Sequence, residues 1–215
     1  MSTMNFSLKV LETGKIEKDI LKAMLRRLKT NFKFWAKGAQ GTVGVAIMGA
    51  LNNSPTVKSI EGGELREEFG ITNPHIMHQI IMGIINSDTL TVKEPKIIGN
   101  QISCLIRLEA VPLDLSVFDD IGQQMTEKGR SLPWFQWLTT LGDAIIVRDF
   151  EVKAGFPKKS RTGDKIMVKG RGWRVPPSHA GSQENNFVTK AVDGIMGDIE
   201  NIIISDFTNA LMAGR

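Results

Sequence analysis

The chain of 215 residues contains no tyrosine and only one cysteine, Cys104. A single thiol excludes an internal disulfide and any zinc cluster built on cysteines. It fits a protein that folds in a reducing cytoplasm. No apolar run reaches the length of a bilayer span. Residues 1–11 alternate polar and apolar side chains, where an export leader would run basic and then apolar. The expectation is a protein neither inserted in a membrane nor secreted by a recognisable route. No internal repeat and no low-complexity segment is visible.

The signatures of turnover chemistry are also missing. Gly38, Gly41 and Gly44 form a glycine-rich stretch, but no Gly-Lys-Ser/Thr follows and no clear strand precedes, so a phosphate loop lacks its parts. There are three histidines. His75 and His78 can share a helix face, yet no third ligand stands at a recognised spacing; Glu64, Glu67 and Glu68 are near only in sequence. His179 lies in a Pro/Gly-rich loop beside Ser178 and Ser182, and neither serine sits in a nucleophile elbow. Asp114, Asp119 and Asp120 lack the spacing of a calcium loop. Cys104 falls on an inward strand position, where a small buried hydrophobe is the ordinary reading. The expectation is therefore no enzyme, no catalytic residue, no metal or other cofactor and no small-molecule substrate.

What is present is segregated charge. The net charge is +4, a modest excess, but residues 15–37 carry eight basic and two acidic side chains, and residues 151–174 carry the same numbers. Residues 38–150 hold eight basic against thirteen acidic, and residues 175–215 two against five. Such separation invites contacts with nucleic acid or with another copy of the chain.

Ile16, Ile20, Leu21, Met24, Leu25, Leu28, Phe32 and Trp35 step by three and four, which predicts an amphipathic helix ending near Gly38. Lys15, Lys18, Lys22, Arg26, Lys29, Lys33 and Lys37 form a second stripe, within about a third of the circumference at roughly 100° per residue. One reading is a solvated face; the other is a docking face for phosphate or an acidic protein surface. Residues 38–53 read as a closely packed helix or an extended segment. Short helices follow at 64–69 and after the Asn73-Pro74 cap. Strands are predicted at 5–11, 89–94, 101–110, 144–153 and 164–169, with a turn at 95–100. Residues 132–141 predict a short aromatic helix, and residues 184–212 one long helix with a wide apolar face. The loops at 154–163 and 170–183 read as mobile. The whole predicts a single α+β domain over 1–215, a mainly antiparallel sheet flanked by a long N-terminal and a long C-terminal helix.

Trp134 and Trp137 are three apart around Phe135, in a segment without a basic residue. Core packing or a protein–protein anchor suits them better than base stacking.

Two segments are specific. LPWFQWLTTLGDAIIVRDFEV, from Leu132, and SRTGDKIMVKGRGWRVPPSHAGSQENNFVTKAVDGI, from Ser160, resemble a family of tailed-phage structural proteins of the neck and upper tail, often labelled minor tail, tail-completion or neck protein. The shared elements are Pro-Trp-x-x-Trp-Leu, Ser-Arg-x-Gly, Trp-x-Val-Pro-Pro and Asn185-Asn186-Phe187. Earlier, NNSPTVKSIEGGELREEFGI is similar to the family's Ser-Pro loop and Gly-x-Leu-Arg element. The resemblance implies an α+β subunit that assembles into a ring on the phage axis as a head–tail connector, tail-completion or tail terminator protein. Its partners would be itself, the neighbouring neck and tail proteins and phage DNA passing through the lumen. Its location would be the virion, and the host cytoplasm during assembly. A ring needs head-to-tail interfaces, and complementary charge would set their register. The residues expected there are Lys18, Lys22, Lys29, Lys33, Trp134, Trp137, Lys158, Lys159, Arg161, Lys165 and Trp173, facing acids such as Glu67, Glu68, Asp198 and Glu200. A reading from another class is a DNA-binding module that lays the basic stripe of the first helix on phosphates.

Overall fold

The computed structural model describes residues 2–9, 15–86, 90–108 and 114–212. The protein is α+β, and it sorts into two compact units, each discontinuous in sequence, where the periodicity leads to an expectation of one domain. Unit 1 comprises residues 1–47, 86–112 and 195–215; unit 2 comprises residues 48–85 and 113–194.

Unit 1 holds an antiparallel sheet ordered β1 (Ser2–Lys9), β3 (Gln101–Leu108), β2 (Leu90–Ile98). Ile102, Cys104 and Ile106 alternate into the core, as the period of two predicts. The predicted turn at 95–100 contracts to Gly99-Asn100, because β2 runs on through a register shift between Lys93 and Lys96. Pro95 cannot donate to a ladder, and a bulge is where a strand tolerates it. Gly99 takes φ +62°, as a two-residue hairpin of this hand requires.

Helix α1 (Lys15–Asn53) is 39 residues long and contributes to both units. It passes Gly38 without ending. Ala39, Val43, Ile47 and Leu51 are buried at four-residue steps, so the apolar face continues where the glycines lower the propensity. The chain leaves this helix at Ser54-Pro55, where α2 (Pro55–Gly62) begins with proline in its first turn. In unit 1 Trp35 packs on Phe32 at 5.6 Å and on Phe207 at 5.1 Å. The predicted C-terminal helix is two helices, α6 (Phe187–Asp193) in unit 2 and α7 (Met196–Met212) in unit 1. Gly194 stands at the break, and glycine costs a helix interior about 1 kcal/mol relative to alanine. Ile199 and Ile203 of α7 are fully buried.

Unit 2 packs α2, α3 (Glu64–Phe69), α4 (Ile76–Asn86), α5 (Trp134–Thr140) and α6 with two short antiparallel pairs, β4–β5 (Gln124–Met125 and Ser131–Leu132) and β6–β7 (Phe150–Lys153 and Ile166–Lys169). Its core is aromatic. Phe69 meets Trp134 at 6.3 Å, Trp137 at 6.0 Å and Trp173 at 5.5 Å, and Phe135 meets Phe118 and Phe187 edge-on. Such stacked, tilted and edge-on pairs add about 0.5–1.5 kcal/mol each beyond the area they bury. The predicted strand at 144–153 is reduced to β6, with Val147 bridging Trp173 alone. Asp149 adopts φ +62° and ends the extended run.

Candidate functional site

The short motifs of the phage-protein resemblance, from the Ser-Pro loop to Asn185-Asn186-Phe187, fall in unit 2, and their residues have tasks in building it. Ser54 precedes α2 and is buried. Leu65 is fully buried, and Arg66 donates through Nε to the Ile71 carbonyl at 3.4 Å. Trp134 and Trp137 are 1% and 8% exposed, so their rings belong to the core and offer no anchor on the outer face of α5. Ser160 Oγ accepts from the Thr162 and Gly163 amides, closing the Ser-Arg-x-Gly turn. Asn186 caps α6: its Oδ1 accepts from Val188 and Thr189, while Thr189 Oγ1 accepts from the Asn186 amide.

A charged polar group in unit 2 centres on Lys165. Its Nζ donates to Glu64 Oε1 at 2.6 Å and Glu68 Oε1 at 3.2 Å. Glu64 and Glu68 are four apart on α3, so one helix face offers two carboxylates. The other oxygen of Glu68 accepts from Trp173 Nε1 at 3.1 Å. The 170–183 loop is held further by backbone bonds, among them Trp173 N to Val147 O at 2.8 Å and His179 N to Pro176 O at 2.8 Å. The His179 ring shares a 3.0 Å hydrogen bond between Nδ1 and Thr56 Oγ1.

The local field follows from these contacts. The bonds and charge of Lys165 hold the Glu64 carboxyl below its ordinary range. Burial pushes Glu68 up, against the opposing bonds from Trp173 and Lys165. Burial draws Lys165 down, but its two glutamates outweigh that and leave it raised. Burial lowers His179, partly offset by the Glu64 carboxylate.

This group draws Lys165, Trp173, Glu64 and Glu68 into contacts within one unit. The ring reading places Lys165 and Glu68 against a neighbouring subunit; both are engaged internally, because α3 lies against β7. Trp173 is 7% exposed and serves the same network. Arg161 donates from Nη1 to the Met125 carbonyl at 2.8 Å, and Lys158 and Lys159 are exposed. The sequence signal for the group is the pair of acids four apart on a short helix, Glu64 and Glu68. Among the described residues no three His, Cys, Asp or Glu side chains gather as a metal site. His179 bonds Thr56, which is 4% exposed, and neither Ser178 nor Ser182.

In unit 1 the basic stripe lies on α1. Lys18, Lys22 and Lys29 are exposed, and the side chain of Lys33 lies outside the described residues. Lys22 approaches Asp19 at 3.9 Å and Lys29 approaches Glu94 at 3.6 Å, both pairs open to solvent and worth about 0–1 kcal/mol each. Among the described residues no helix is long and apolar enough to cross a membrane. No protein-family model matches the chain, and no similar curated protein or solved structure is found for it.

Proposed function

We propose that this chain is a non-enzymatic structural subunit of a tailed-phage particle, forming a ring in the neck or upper tail that joins head to tail. The supporting observation is the task of the motif residues in unit 2. Tryptophans, capping asparagine, turn serine and loop histidine are engaged in packing, capping and loop anchoring, which is what a motif of a structural family would require. In this reading the subunit presents a mainly antiparallel sheet flanked by its long N-terminal helix and its C-terminal helical segment, and its place is the virion. Among ring types, tail completion or connector is preferred to tail terminator. Negative-stain images of the purified protein at high concentration test the proposal. Rings or stacked tubes are expected; a monodisperse monomer would overturn it. His179→Ala should then affect assembly only through folding, and a hydrolase activity abolished by that change with the fold intact would equally refute the reading.

The exposed lysines of α1 favour one second reading, a DNA-binding module. It requires retention of duplex DNA that weakens steeply with salt. Lys22→Glu with Lys29→Glu would abolish that retention, and no reversal of acids elsewhere would restore it.

A further inference from the structure

Unit 1 contains a cleft of about 140 Å³ beside Trp35. Met24, Leu28, Phe32, Trp35 and Phe207 form its apolar walls. Arg27 and Asn31, four apart on α1, supply its polar lining. A cavity of about 150 Å³ accepts a group the size of benzene, so this cleft suits one aromatic or branched side chain. Two features mark it as incomplete. Trp35 is 7% exposed, yet its Nε1–H has no hydrogen-bond partner among the described residues, and a buried donor without an acceptor costs about 1–3 kcal/mol. Arg27 stands about 80° or more round the helix from the lysine stripe, is exposed, and has no ion pair among the described residues.

Unit 2 carries a complementary projection. Val117 is 67% exposed, the highest of the large hydrophobics among the described residues, and Ile121 is 36% exposed. Between them lie Asp119 and Asp120, and residues 114–127 contain four acids and no lysine or arginine. The projection is held rigidly. Phe118 is buried against Phe135 and closes on Gly83, while Asp114 Oδ1 accepts from the Ser116 amide at 2.9 Å. Burial, with the neighbouring charges of Asp114 and Asp120, raises Asp119, as expected for clustered acids that lack a cation.

We infer that the 117–121 projection of one copy docks into the Trp35 cleft of the next, with Val117 entering the apolar walls and Asp119 or Asp120 pairing with Arg27. Projection and cleft are different surfaces of the chain, so the contact we infer is of the heterologous kind, which repeats head to tail and closes a ring or extends a tube. The inference rests on the proposed ring and names the contact that builds it.

Disulfide trapping in the full chain tests it. Cys104 is 3% exposed and stays out of the exchange. The double variant Val117→Cys/Asn31→Cys is expected to give a ladder of covalent oligomers on a non-reducing gel, and the two single variants mixed are expected to give dimers only. Ile145→Cys with Asn31→Cys, a pairing of the cleft with another exposed apolar residue, should give none. Arg27→Glu should weaken self-association about tenfold, the loss of roughly 1.4 kcal/mol, with an unchanged melting temperature of the monomer, and Asp119→Arg/Asp120→Arg added to it should restore part of the loss. Native rings without the ladder would overturn this contact and leave the ring standing. A protein that neither self-associates nor traps would overturn both. A ladder from the Ile145 pairing equal to that from Val117 would show unspecific collision and also overturn the contact.

Discussion

Lys165→Met removes the cation from between two carboxylates while keeping most of the side chain's length. The Lys165 side chain is 20% exposed, Glu68 9% and Glu64 56%. Glu64 can therefore turn to water. Glu68 cannot, and keeps only the 3.1 Å bond from Trp173 Nε1. Breaking a fully buried pair costs about 3–5 kcal/mol, and the partial exposure of Lys165 reduces that to an expected loss of roughly 1–3 kcal/mol at neutral pH. The sign with pH is fixed. Glu68 already has a raised carboxyl, and without Lys165 it rises further. A raised group favours the fold below its unfolded value, near about 4.3 for glutamate, and loses that contribution as pH rises through the folded value. The penalty of Lys165→Met should thus shrink as pH falls from 8 to 5. Glu68→Gln on top of it should recover part of the stability at pH 8, since the buried charge is gone. Urea unfolding followed by tryptophan fluorescence is the assay, because Trp134, Trp137 and Trp173 all lie in unit 2. A loss under about 0.5 kcal/mol, within the ordinary range of surface substitutions, or one independent of pH, would refute the account of this network.

Three further outcomes follow from burial and charge. Ile199 is fully buried, so Ile199→Ala should cost about 2–4 kcal/mol; an unchanged melting temperature would place its face toward an assembly partner instead. His179 is lowered by burial, so its contribution is complete above about pH 6.5 and is lost as pH falls through the depressed folded value. The stability difference between the protein and His179→Asn, read by thermal melts, should therefore shift between pH 7.5 and 5, and a constant difference would refute the burial argument. Burial pushes the Cys104 thiol up to about 11, and its Sγ lies 3.3 Å from the Lys93 carbonyl. Thiol reagents at pH 8 should label it only on unfolding, and rapid labelling of the native protein would show the sheet to be open.

Legibility followed the range of the interactions. The strand alternation at Ile102, Cys104 and Ile106, the helix at 64–69 and the aromatic helix at 134–140 depend on neighbours in sequence, and their patterns are visible there. The run of α1 past Gly38 reads two ways in the sequence, because glycine spacing resembles a loop until the four-residue step of Ala39, Val43, Ile47 and Leu51 is followed through it. The break at Gly194 was hidden for the converse reason: apolar periodicity persists across it while the two sides join different units. The polar group around Lys165 was the least legible part. Lys165 to Glu64 spans 101 positions and His179 to Thr56 spans 123, and no local pattern tells which acid a loop lysine will meet. Trp134 and Trp137 stand out in the sequence as a pair three apart, yet only packing decides that both are interior.

The glycines allow a test in which the same substitution has opposite signs. Gly181 lies in the loop between Pro176-Pro177 and α6, and a Cβ there would come within 2.5 Å of the Leu138 carbonyl oxygen and 2.7 Å of Asn186 Cα. Both obstacles are backbone, one from α5 and the other the cap of α6, so neither can turn aside. Gly181→Ala must push the loop off α5 and disturb the Asn186 cap. Overpacking typically costs about 1–3 kcal/mol, and loss of a cap adds about 1 kcal/mol. Gly41 on α1 is the control. A Cβ there meets nothing within 4 Å, and alanine in place of a mid-helix glycine contributes about 0.5–1 kcal/mol. Urea midpoints should fall for Gly181→Ala and rise for Gly41→Ala. If Gly41→Ala destabilised the isolated monomer, something would lie against that face of α1. If it left the monomer firmer but abolished assembly, the open face would be where a neighbouring subunit packs, and the glycine would be serving close approach between chains instead of the fold of one.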